Sequence, residues 1–113
     1  MNDLEQAQLW ADKLTGAGVD AYTDPRSATP PCVLIVPPGQ TFDTDCSALN
    51  DWRVYALAPG LGNLDAWSQL AAMQPTIVDL LPVRSRIYVG VSLDPTSPIF
   101  PAFMYQFEGS TDP

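Results

Sequence analysis

Five consecutive apolar residues, Cys32-Val33-Leu34-Ile35-Val36, stand between Pro30-Pro31 and Pro37-Pro38-Gly39. A proline has no N–H to give to a ladder, so prolines at the two ends bound a strand without removing hydrogen bonds from it, whereas prolines inside would. A run without polar alternation is buried on both faces. The chain is therefore organised around a sheet, and this run is expected at its centre.

The flanking segments supply the other elements. From Asn2 to Leu14, apolar residues recur at Leu4, Ala7, Trp10 with Ala11, and Leu14, the spacing of an amphipathic helix. Asn2 or Asp3 suits its cap, Asp3 and Glu5 its positive end, and Gly16 and Gly18 its positive-φ exit. Val19–Thr23 reads as a short strand before a turn at Asp24-Pro25-Arg26, and Trp52–Ala58 as a strand ended by Pro59-Gly60. A second stripe at Leu64, Trp67, Leu70 with Ala71, then Ile77 with Val78 and Leu81, predicts a second helix from Asn63. Pro75 is expected to kink it near Met73 or to make it restart at Thr76. Arg84–Leu93, with Ile87, Val89 and Val91 on one face, and Phe100–Phe107, with Phe103, Tyr105 and Phe107 at spacing two, predict two more strands joined by a turn at Asp94-Pro95. Between Gly39 and Asp51 a polar stretch without periodicity reads as a long loop, and Glu108–Pro113 as a polar tail. The sum is an α+β domain over residues 1–113: one mainly antiparallel sheet of four or five strands covered by two helices.

At 113 residues the chain has the length of one domain, and its 16% charged content lies below the usual quarter, which leaves apolar surface for partners. Thirteen acidic residues against five basic ones, a net charge of −8, repel phosphate backbones and anionic lipid, so nucleic-acid binding and membrane association are not expected. There is no histidine, which removes the commonest general base and the commonest zinc ligand. Cys32 and Cys46 lack CxxC spacing and read as ordinary thiols. With no apolar stretch of membrane-spanning length and an acidic start, MNDLEQ, where a secretory signal is basic, a soluble chain made in the cytoplasm is expected.

Few constellations point to chemistry. Asp43-Thr44-Asp45 brings hard oxygen donors together but lacks the glycine and distal glutamate of a calcium loop. Gly60-Leu61-Gly62 lacks the lysine and serine of a phosphate loop and reads as the lead-in to a helix. Trp10 and Trp67 fall on the helical stripes and are expected in the core. Neither enzymatic activity, nor a cofactor, nor a metal is expected.

Several strings together resemble the tail terminator proteins of long-tailed phages infecting actinobacteria: Leu14-Thr15-Gly16-Ala17-Gly18-Val19, Thr23-Asp24-Pro25-Arg26, Pro30-Pro31-Cys32-Val33-Leu34-Ile35, Trp52-Arg53-Val54-Tyr55, and Asn63-Leu64-Asp65-Ala66-Trp67 before a closing strand pair. The resemblance runs over nearly the whole chain. It implies a homo-hexameric ring at the head-proximal end of the virion tail, which caps the tube, stops its polymerisation and presents a docking surface for the neck. The implied partners are the chain itself, the major tail tube protein and a neck or head-completion protein.

Within that reading, Phe100 and Phe103, beside Pro98 and Pro101, are the candidate contact residues, and Asp43, Asp45 and Asp51 are expected at the lumen or rim of the ring. Three carboxylates within nine residues are costly to bury unpaired, and a negative wall discourages passing DNA from sticking. An outward loop serving only solubility is the alternative. Competing functions are another head-to-tail joining protein (a neck adaptor or stopper), a small enzyme using aspartates, and an inhibitor of a host protein.

Overall fold

The structure, a computed structural model, describes residues 3–42, 48–59, 63–93, 96 and 99–111. Its elements in chain order are α1 (Asp3–Gly16), β1 (Ala21–Tyr22), β2 (Cys32–Ile35), β3 (Gly39–Phe42), β4 (Ala48–Leu57), α2 (Asn63–Leu80), β5 (Ser85–Ser92) and β6 (Ile99–Thr111). The fold is α+β: two helices and a six-stranded, mostly antiparallel sheet, one strand more than expected.

α1 buries Ala7, Ala11 and Leu14 at the anticipated spacing. It ends where Val19 N–H donates to the Leu14 carbonyl and Gly18 takes φ of 95°, a conformation that side chains with a Cβ disfavour. Leu4, expected on the buried stripe, is exposed.

The strand order is β1-β2-β4-β6-β5, with β3 also paired to β4. The proline-bracketed β2 is buried along its whole length as expected, but it is not the centre of the sheet. That place belongs to β4, which carries β2 and β3 along one side and β6 along the other. Ile35 pairs with Val54 and Gly39 with Asp51, so Val36-Pro37-Pro38 stands opposite only Trp52-Arg53. β2 and β3 thus form one long partner of β4 interrupted by a single-residue bulge, placed where two prolines cannot donate to the ladder. The segment 39–51 is consequently not one loop: both of its ends are strand. Glu108–Thr111, expected as tail, likewise continues β6 and pairs with Ala48–Asp51. The Pro30-Pro31 peptide bond is cis.

One face of the sheet packs on both helices. Val33 and Ile35 of β2, Trp52, Val54 and Ala56 of β4, and Phe103, Tyr105 and Phe107 of β6 meet Ala7, Ala11 and Leu14 of α1 and Ala66, Leu70, Met73, Ile77 and Leu81 on or next to α2. Burying each of the larger of these side chains contributes about 1.5–3 kcal/mol. Trp10, partly buried, is edge-on to Phe107 at 5.3 Å, and Trp52 and Phe107 are cross-strand partners stacked at 6.4 Å. The stripe of α2 is therefore the 66-70-73-77-81 series, and Trp67, expected in the core, is 60% exposed. α2 runs through Pro75 as one helix. Pro75 is exposed on the side away from the sheet, where the carbonyl it leaves without an N–H is open to water.

Among the described residues, the opposite face carries no helix. Cys32, Leu34, Leu57 and Ala102 are buried there, with Tyr22, Ala28, Tyr55, Val89, Val91 and Phe100 packed around them.

Candidate functional site

The residues singled out in the sequence do not form one surface. Phe103 is 6% exposed and belongs to the helix-side core. Phe100 is partly buried on the helix-free side. An odd number of positions along β6 separates them, so the pleat sends them to opposite faces. Asp43 and Asp45, with Cys46 and Gly60-Leu61-Gly62, lie outside the described residues. Asp51 lies on β4, half exposed, with a carboxylate oxygen 3.5 Å from the guanidinium of Arg53. An exposed pair of that length contributes little.

What the fold does assemble is a pocket of about 410 Å³ between α2 and the outer strand β5, lined by Ala66, Trp67, Arg86, Tyr88 and Phe103. Alternation along β5 sends Arg86 and Tyr88 to the helix side, where their register partners on β6 are Tyr105 and Phe103. The Arg86 guanidinium lies 4.1 Å from the centroid of the Phe103 ring, and the Tyr88 ring stands edge-on to the same ring at 6.1 Å. Arg86 also donates to the side-chain carbonyl of Gln74, which accepts a second hydrogen bond from the Tyr105 hydroxyl at 3.1 Å. Burial pushes the Tyr105 hydroxyl above its ordinary range, and the neighbouring Arg86 charge pulls the other way. Phe103 is thus the floor of this pocket.

Sequence reasoning missed Trp67, Arg86 and Tyr88. The signal was present in Gln74: the position seven after Trp67 is a glutamine, whereas the position seven after Ala66 is Met73. Only the series through Ala66 stays apolar over several turns.

On the helix-free face a shallower groove of about 510 Å³ runs between Pro25, Leu34, Tyr55, Val91 and Met104. Its floor includes no group poised for chemistry. Cys32, beneath this face, has its thiol pushed up to about 11, first by burial and then by the Asp20 charge, with the Thr29 backbone opposing, so it is a poor nucleophile at neutral pH. The segment that borders the groove turns at Asp24, whose carboxylate accepts from the Arg26 backbone N–H at 2.9 Å and from its guanidinium at 3.3 Å. The backbone N–H and then the guanidinium hold the Asp24 carboxyl below its ordinary range. Among the described residues no three acidic, cysteine or histidine side chains converge on a point, and no helix is long and apolar enough to cross a membrane.

The chain matches no model of a known protein family, and no curated protein matches it.

Proposed function

We propose that this chain is a structural virion protein, the tail terminator of a long-tailed phage. It forms a homo-hexameric ring that caps the tail tube at its head-proximal end, stops polymerisation and carries the neck. Its partners are its own copies, the major tail tube protein and a neck or head-completion protein, and it performs no catalysis. The observation that carries this reading is that one outer strand leaves apolar surface open on both faces of a small sheet: Tyr88, 61% exposed beside Trp67, on the helix side, and Ile87, 48% exposed next to Val89 and Val91, on the other. β5 also ends the sheet over eight residues without a described neighbour on its outer side. Natural proteins often blunt or cover such edges, and the apolar side chains that β5 leaves open suit it to assembly. The sequence resemblance chooses among assemblies. Within the ring, Asp43, Asp45 and Asp51 face the lumen or rim.

The test is genetic and visual. Interrupting the gene in the phage that carries it should yield tails of uncontrolled length and filled heads without tails, and supplying the chain should restore both. Normal tails in its absence would sink the reading; tails of normal length beside leaking heads would assign the chain to the neck.

A further inference from the structure

The richest unassigned surface is the flank where α2 meets β5. Trp67 and Val78, 60% and 52% exposed, lie with Gln74 along one side of α2, as their spacing of seven and four positions requires. The acidic residues of α2, Asp65 and Asp79, fall on other sides of the helix by the same count. Next to this flank β5 contributes Tyr88 and Arg86, and Arg84 precedes it by one residue. Two of the five basic residues of a chain with net charge −8 thus stand together on apolar surface. Arg86 is already held by the Phe103 ring and Gln74, so little side-chain freedom is lost when a carboxylate arrives.

The complementary surface lies on this same chain. The outward face of α1 carries Leu4, 64% exposed, and Leu9, 38% exposed, among Glu5, Gln8, Asp12 and, in its last turn, Lys13. It combines apolar side chains with two carboxylates against one ammonium, a net charge opposite in sign to that of the α2–β5 flank. α1 packs over β1 and β2, at the end of the sheet opposite β5.

We propose that the α2–β5 flank of one copy binds the outward face of α1 on a second copy, with an α1 leucine in the pocket beside Trp67 and Tyr88 and the α1 carboxylates facing Arg84 and Arg86. This rests on the ring reading above and names its surfaces. Two different patches at opposite ends of one sheet make a heterologous contact, which repeats from copy to copy and closes into a ring when the rotation permits. Opposed charge sets register and favours this pairing over the general repulsion between two acidic chains.

The experiment uses the full chain and two variants, Trp67→Ser and the double variant Leu9→Ser with Asp12→Lys, each checked for an unchanged far-ultraviolet circular dichroism spectrum. Light scattering and sedimentation then measure assembly. Wild type should assemble, and each variant alone should weaken self-association about tenfold or more, the effect of losing roughly one good contact pair. Mixed one to one, the variants should form a dimer and nothing larger, because the mixture holds one intact patch of each kind. Variants that assemble as wild type does, or a mixture that stays monomeric while wild type assembles, would overturn the proposal and leave the ring reading standing. Open polymers of wild type that both variants abolish would support the interface and count against the ring. A wild-type chain that is monomeric at every concentration overturns the interface, and the tail-length experiment judges the function separately.

Discussion

The side-chain amide of Asn50 donates a 2.9 Å hydrogen bond to the carboxylate of Asp3, joining the first turn of α1 to β4 across 47 positions of sequence. Asn50 is 1% exposed. Gln40 of β3 donates to both residues, to Asn50 at 2.9 Å and to Asp3 at 3.1 Å. One carboxylate and two amides thereby fix the helix start against the β3–β4 hairpin.

That network sets the first expectation. Asn50→Ala removes the buried member of the group, which both donates to Asp3 and accepts from Gln40, and it should destabilise the chain by about 1–3 kcal/mol. Gln40→Ala, at the more exposed end, should cost about 1 kcal/mol or less. Urea unfolding of both variants checks the order; equal losses would mean that Asn50 does not organise the group.

The reading of α2 is tested by two substitutions three positions apart. Leu70→Ala removes a fully buried side chain and should cost about 2–5 kcal/mol. Trp67→Ser changes an exposed one and should shift stability by about 0.5 kcal/mol. Thermal unfolding of the two side by side decides the matter, and a loss at position 67 as large as at 70 would return the tryptophan to the core.

For Cys32 the direction of the pKa shift gives a pH dependence. A thiol raised in the folded state stays protonated there while the unfolded thiol ionises first. Its contribution to stability is therefore whole below the ordinary value of 9.0 and is lost as pH climbs from there through about 11. In a Cys46→Ser background, stability should be flat across neutral pH in this respect and then fall by at most about 1.4 kcal/mol per pH unit from this one group. An aromatic disulfide reagent at pH 8 should leave the native thiol unreacted and modify it after urea is added. Rapid native reaction would show that the face above Cys32 opens.

If the acidic segment lines a lumen, Asp43, Asp45 and Asp51 changed together to lysine should leave folding nearly intact, because substitutions at solvent-facing positions are usually worth about 0.5 kcal/mol or less. Arg53 loses a weak partner in Asp51. Virions carrying the triple variant should join tails poorly or eject DNA slowly. Normal joining and ejection would reduce the aspartates to solubility.

Much of the fold was legible because local constraints act alone there. The α1 stripe through Ala7, Ala11 and Leu14, the two-faced burial of Cys32–Ile35 and the alternation of Phe103, Tyr105 and Phe107 each follow from periodicity over a few residues. The candidate site was much less legible. Phe103 drew notice as an aromatic residue, but the groups that surround it, Arg86, Tyr88 and Trp67, come from two other elements.

What the sequence by itself determined is the α+β class, the two helices and the strands whose side chains alternate or stay apolar, since hydrophobic period and proline placement are local properties of the chain. Only the tertiary structure decided that β4 and not β2 is central, that Gly39–Phe42 and Glu108–Thr111 are strands, and that Trp67 faces outward. Those outcomes depend on pairing register and on which neighbour covers which face. β3 is polar enough to read as loop until β4 offers it a ladder. Trp67 sits one position from the stripe that Leu70 and Ile77 press against the sheet, and a helix can bury only the side that meets its neighbour.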